Sequence, residues 1–200
     1  MPSEIPLLHV DERLIAIDKP AGLLSVPGRG EDKQDCAWSR VRTQFPEALV
    51  VHRLDQATSG LLLFARTLEA QRELGSAFER RQVSKRYQAL VWGELTEAEG
   101  LIDLPLAADW PNRPRQRVCF DGGRPSQTRW RRGTMGDGQT RLLLEPLTGR
   151  SHQLRVHLLA IGHPIVGDTL YDPDRHAPRL MLHAQDLVLP GLTLNSPCPF

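Results

Sequence analysis

The sequence predicts an α+β fold, and three observations carry that prediction. Leu61 to Ala65 (LLLFA) is a continuous apolar run too short for a helix of its own, which suits a strand buried on both faces. From Val83 the pattern changes to a period of two, with Lys85, Tyr87, Ala89 and Val91 on one side and Arg86, Gln88, Leu90 and Trp92 on the other. Helical spacing is confined to three stretches scattered irregularly among the strands, an order that excludes a repeating βαβ sheet.

Taken in order, Leu14 to Asp18 (LIAID) forms a short strand that Lys19-Pro20 stops, and Ala21-Gly22 turns the chain into Leu23 to Val26. The Gly28-Arg29-Gly30 turn that follows fits simple loop geometry better than a phosphate cradle. A first helix is expected next, with Asp35 as its N-cap, Trp38, Val41 and Phe45 on one face, and Pro46 as its end. Val50-Val51 lead into HRLDQATSG and the LLLFA strand. Thr67 caps a second helix, lined by Ala70, Leu74, Ala77 and Phe78, with Arg80 and Arg81 where cations favour a helix C-terminus. Further strands are expected over Gln116 to Phe120, Gln127 to Trp130, Arg141 to Leu147 and Leu180 to Leu189, with turns at Gly122-Gly123 and Gly136-Asp137-Gly138. Ser151 is the expected cap of a third helix through HQLRVHLLAI, with Leu154, Leu158 and Ile161 toward the core and Gly162 then Pro164 as its stop.

The chain has 200 residues, 40% of them hydrophobic and 24% charged, with a formal net charge of +1. Such a chain buries roughly 70% of the surface its unfolded form exposes, enough for one full core without disulfides or a structural metal. One domain over residues 1–200 is expected. No apolar run approaches the length of a membrane helix and the N-terminus lacks a secretory pattern, so a cytoplasmic protein that keeps off membranes is expected. Cys36, Cys119 and Cys198 are far apart and never form CxxC, which argues for reduced thiols.

Charge is unevenly spread. Residues 94–109 hold five acids and no base, whereas residues 113–132 hold seven arginines against Asp121, a basic patch of the kind nucleic acid binds. The 22 Arg to 3 Lys ratio suits phosphate and base contacts, and equally fits the composition of a source genome.

Two clusters stand out for chemistry. In His52-Arg53-Leu54-Asp55-Gln56-Ala57-Thr58-Ser59-Gly60 an aspartate precedes a rigid strand, where a reactive group can be held; the same residue types are also ordinary turn formers. In Gly149-Arg150-Ser151-His152-Gln153-Leu154-Arg155 an arginine precedes a helix start, where it either binds an anion or is simply exposed. His152 and His157 lie roughly 140° apart on a helix, so they are no metal pair. No GxGxxG, GxxxxGK[ST] or GxSxG occurs, and neither a cofactor nor a metal is expected. Trp92, Trp110 and Trp130 suit either core positions or base stacking.

HRLDQATSGLLLFA resembles the signature of the RluA family of RNA pseudouridine synthases, HRLDxxTSG followed by an apolar strand. The resemblance extends to Lys19-Pro20-Ala21-Gly22 (KPxG), to Lys85-Arg86-Tyr87 (KxY), to Gly149 through His157 (GRxHQxRVH) and to Gly162 through Asp168 (GHPIxGD). LLSVPGR and DLPLAADWPNRPRQRV are similar to the subgroup with dual specificity. The resemblance implies a pseudouridine synthase fold, a mixed and largely antiparallel sheet with flanking helices and a central RNA-binding cleft. It implies a monomer that isomerises uridines in a tRNA anticodon stem-loop and a 23S rRNA stem-loop, without a cofactor. With only 18 residues before Lys19-Pro20, no S4 domain is expected.

Carried over by position, Asp55 is the catalytic aspartate, Tyr87 the ring packed on the uracil, and Arg150 the salt-bridge partner of the aspartate. Arg53 fills the gap left by a flipped base, with His52, Arg129 and Arg131 as further RNA contacts. Two other readings stand beside this one. A non-catalytic RNA-binding or RNA-folding protein has no need of Asp55, Tyr87 and Arg150 together, and an N-glycoside hydrolase needs a second carboxylate, for which Asp168 is the candidate.

Overall fold

A computed structural model describes residues 4–200; Met1 to Ser3 of the N-terminal stretch lie outside the described residues. In chain order the elements are β1 (Leu7–Val10), β2 (Leu14–Lys19), α1 (Ala37–Gln44), β3 (Leu49–Val50), β4 (Ser59–Ala65), α2 (Leu68–Glu79), β5 (Ser84–Trp92), β6 (Glu99–Asp103), β7 (Leu106–Ala108), β8 (Gln116–Val118), β9 (Gln127–Gly136), β10 (Gln139–Pro146), α3 (Gln153–Ala160), β11 (Leu182–Leu189) and β12 (Leu192–Asn195). Strands dominate, pair mostly antiparallel, and are joined by three α-helices, so the α+β expectation holds. No helix among the described residues is long and apolar enough to cross a membrane.

The described residues divide into two compact units, one of residues 4–85 with Ala184–Pro199 and one of Arg86–His183 with Phe200. In the first, the strand order is β1-β2-β4-β11-β12, with β3 also on β4. All seven residues of β4 are buried, as an apolar run without alternation requires. Its Leu61, Leu63 and Ala65 meet Leu14 and Ala16 of β2, Ala70 and Leu74 of α2, and Leu187, Leu189 and Leu194 of the last two strands. Thr67 caps α2 as expected, its hydroxyl accepting the Ala70 N–H at 3.0 Å. The cap of α1 differs from expectation. Cys36, not Asp35, is the N-cap: its Sγ accepts the Ser39 N–H at 3.3 Å while Ser39 Oγ accepts the Cys36 N–H at 3.0 Å. Asp35 instead pairs with Arg40 at 2.6 Å.

In the second unit the order is β5-β10-β9-β6, with β7 and β8 forming a separate antiparallel pair. The Gly-Asp-Gly turn falls where expected. Asp137 and Gly138, at φ 54° and 69°, form the two-residue connection between β9 and β10, whose twist calls for positive φ at both positions. The N-cap of α3 is His152 in the left-handed region at φ 53°, with no side-chain cap, so Ser151 does not cap this helix.

Candidate active site

Asp55 sits on the loop between β3 and β4, and the surrounding sequence holds the backbone of that loop in several ways. The Ser25 hydroxyl clamps the Leu54 residue from both sides, donating to its carbonyl at 2.7 Å and accepting its N–H at 3.0 Å. Lys19 is fully buried, and its ammonium donates to three carbonyls, those of Pro20 (2.9 Å), Leu23 (2.7 Å) and Gln56 (3.1 Å). The Gly22 N–H donates to the Gln56 carbonyl at 2.9 Å, and the Gln56 amide returns a bond to the Gly22 carbonyl at 3.0 Å. Thr58 N–H closes the turn on the Asp55 carbonyl at 3.1 Å. The early KPAG segment is thus the bed on which the Asp55 turn rests. Charge-assisted bonds from a buried ammonium are strong, so the bed is stiff.

Along HRLDQATSG the side chains divide by burial. Leu54, Thr58 and Ser59 are buried, Arg53 is exposed, and Asp55 is partly exposed. Gly60 has φ 111°, and a Cβ there would lie 2.3 Å from the Ala184 carbonyl oxygen, so only glycine lets β4 approach β11 this closely. His52, expected to contact RNA, is turned to a structural task. Its ring stacks on Phe78 with centroids 4.6 Å apart, and its Nε2 accepts the Leu63 N–H at 3.0 Å. Burial, and secondarily the Lys85 charge, push its pKa down to about 3, so it is neutral at physiological pH and its accepting nitrogen is occupied.

Tyr87 and Arg150 belong to the second unit. Tyr87 lies on β5 opposite Leu144 of β10, with its side chain half-buried. Arg150 lies on the turn between β10 and α3, and Gln153 fixes the peptide there. The Gln153 carboxamide accepts the Arg150 N–H at 3.1 Å and the Thr148 hydroxyl at 2.7 Å, and donates to the Gln127 carbonyl at 2.9 Å and to Thr128 Oγ1 at 3.0 Å. Arg150 Nε is buried and has no hydrogen-bond partner among the described residues. A buried guanidinium nitrogen left without a partner is costly in a resting protein and suits one that receives an anionic or carbonyl partner during its work.

The rest of the second motif is spent on architecture. Arg155 and Asp168 form a bidentate pair, Nε to Oδ2 at 2.8 Å and Nη2 to Oδ1 at 2.6 Å, with side chains only 7% and 1% exposed. His157 bonds Thr128 Oγ1 at 2.9 Å and the Leu104 carbonyl at 3.0 Å, and burial lowers its pKa. His152 Nδ1 lies 2.8 Å from the Tyr171 hydroxyl, which also accepts the Gln116 N–H at 2.8 Å. Sequence reasoning gave Tyr171 no role; its only signal was its place just after GHPIxGD. The pairing of Asp168 corrects the hydrolase reading, because a carboxylate buried against Arg155 is no partner for general acid–base work on a glycoside.

Arg129 and Arg131 are exposed on β9, and each faces a carboxylate, Glu145 at 3.1 Å and Glu99 at 3.5 Å. Among the described residues no group of three or more His, Cys, Asp or Glu is placed to hold a metal ion.

Residues 13–160 match the family described as RNA pseudouridylate synthase. The chain is 47% identical to the dual-specificity RNA pseudouridine synthase RluA of Escherichia coli K12, over 97% of this chain and 93% of that protein. It is 49% identical to the protein of the same description from Yersinia pestis, over 97% and 96% respectively. Among solved structures, human RNA Pseudouridylate Synthase Domain Containing 1 superposes with a TM-score of 0.82 at 30% identity, over 98% of this chain and 84% of that one.

Proposed function

The chain belongs to the RluA family of RNA pseudouridine synthases, and from that membership we propose that it isomerises a uridine in a tRNA anticodon stem-loop and another in a stem-loop of 23S rRNA, with Asp55 as the essential carboxylate. The activity itself is that of an isomerase acting on RNA. The reaction breaks the N1–C1′ bond, rotates the uracil and joins C5 to C1′; the C5 proton leaves and N1 gains one, with no net redox change. The work is to hold two fragments, stabilise separated charge and move protons.

Asp55 supplies a carboxylate on the sugar side, either attacking C1′ or taking the C2′ proton to give a glycal. Tyr87 supplies a ring for the face of the base and a hydroxyl near the proton to be lost from C5. Arg150 supplies positive charge for the anionic groups that the bond cleavage exposes. Arg53, exposed and without a hydrogen bond or ion pair among the described residues, fills the stack that the target base leaves. His52 serves by supporting β4 from beneath the loop. For Arg129 and Arg131, phosphate binding requires displacing Glu145 and Glu99, which makes them peripheral contacts at most.

The observation that carries this reading is the backbone clamp on the Asp55 turn, since a binder has no use for an aspartate turn anchored by so many bonds. The test is tritium release from 5-tritiated uridine in both stem-loops, with mapping of the modified position. Asp55→Asn is expected to bind both RNAs with unchanged affinity and lose about 10⁴-fold or more in rate. Turnover near wild type by that variant removes Asp55 from the chemistry, and release from only one RNA narrows the substrate to that one.

A further inference from the structure

The second unit carries one surface that the chemistry above does not use. Between residues 105 and 124 the β7–β8 hairpin presents Trp110 and Phe120, 67% and 80% exposed, the only exposed aromatic residues among those described. Large rings standing in water are a cost that a purely structural hairpin has no reason to bear. The same segment holds Arg113, Arg115, Arg117 and Arg124 against Asp109 and Asp121. None of these four arginines forms an ion pair among the described residues, and Arg113, Arg117 and Arg124 are exposed. The arginines that follow on β9 differ: Arg129 and Arg131 face carboxylates, and Arg132 bonds the Leu95 and Thr96 carbonyls. Uncompensated positive charge in the Arg-rich stretch is therefore concentrated on the hairpin.

Its geometry is already set. The Arg113 guanidinium lies 3.5 Å from the Trp110 ring centroid, a preformed stack onto which a base can add. Leu106 and Arg124 exchange backbone bonds at 2.9 and 2.8 Å, closing the base of the arm. The Gln116 N–H is held by the Tyr171 hydroxyl, which also meets His152, two residues from Arg150.

We propose that the β7–β8 hairpin is an RNA-gripping arm, on which Trp110 and Phe120 stack unpaired bases of the substrate stem-loop while Arg113, Arg117 and Arg124 neutralise its phosphates. The proposal rests on the reading that the substrate is a stem-loop RNA. Stacking needs bases with a free face, so the aromatics act on unpaired segments only. The arginines act on any phosphate backbone.

The test measures Kd for the substrate stem-loop and for a blunt duplex of equal length across a salt series, and kcat and KM by tritium release. Trp110→Ala with Phe120→Ala is expected to raise Kd and KM about tenfold or more on the stem-loop, to change the blunt duplex by less than about twofold, and to leave kcat unaltered. Arg113→Gln with Arg117→Gln is expected to lower the slope of log Kd against log salt by roughly 1.4, with the slope restored by lysine at both positions. Unchanged Kd and salt slope in both pairs overturns the proposal and gives the hairpin to some other partner. A fall in kcat at constant KM also overturns it, because that marks damage to the fold. If wild type releases no tritium from either RNA, the target reading fails, while the binding measurements still decide the arm.

Discussion

Replacing Asp168 by asparagine keeps the shape of the side chain and removes its charge, so the buried Arg155 guanidinium loses the carboxylate it grips bidentately. The two side chains are 7% and 1% exposed and make two short bonds, 2.8 and 2.6 Å. Asp168 Oδ1 also accepts the N–H groups of Leu170 and Tyr171 at 3.2 Å each, so the whole 168–171 turn hangs on one carboxylate. Breaking one side of such a pair costs about 3–5 kcal/mol. A chain of 200 residues has an unfolding entropy near 0.4 kcal/mol/K, so the melting temperature should fall by roughly 7–12 °C. Urea unfolding at pH 7 with an unchanged m-value, together with a thermal melt, measures this directly. Adding Arg155→Met to Asp168→Asn should recover part of the loss, because the buried guanidinium is then gone. A loss below about 1 kcal/mol in the single variant refutes the argument that the pair is desolvated.

Three further outcomes follow from the geometry. His52 is neutral in the native state, with its pKa near 3 against an ordinary 6.5, so between those values the unfolded chain binds a proton that the folded one refuses. Stability should therefore fall as pH drops below 6.5, by up to about 1.4 kcal/mol per pH unit. His52→Gln should flatten that slope in urea titrations, and an undiminished slope assigns it elsewhere. Gly60→Ala forces a Cβ to 2.3 Å from the Ala184 carbonyl at a φ of 111°, and should cost about 3 kcal/mol or more; wild-type stability would show that β4 and β11 can separate there freely. Arg53→Ala should slow turnover about 10- to 100-fold on the folded stem-loop, where a base must leave its stack, and far less on an unfolded oligonucleotide; equal losses on both end the base-flipping role.

The strands that bury both faces or alternate cleanly were readable from residue pattern alone, as β4 and β5 show. Those missed lack that signal. β6 (EGLID) buries only Ile102, β1 is exposed through most of its length, and the far half of β9 is exposed and polar because it pairs beyond the core. Cys36 escaped notice as a cap because sulfur is a weak acceptor, and Asp35 beside it is the usual residue for the task. Asp55 was found by motif, but its support was not: a buried lysine bonding a carbonyl 37 residues away has no periodicity. His152 and His157, spaced wrongly for a metal pair, and Arg155, to which the sequence pattern assigns no role, serve as scaffolding, because polar residues that must be buried need partners wherever the fold puts them.

The dependence of the Asp55 turn on Lys19, Gly22 and Ser25 bears on how movable this site is. Its nine-residue signature does not encode its own shape; the Leu54 and Gln56 backbone takes its position from groups about thirty residues upstream. Transplanting HRLDQATSG into another sheet protein would deliver the carboxylate without its orientation. A working graft has to carry the two segments together, as well as the strand pair that keeps them in register.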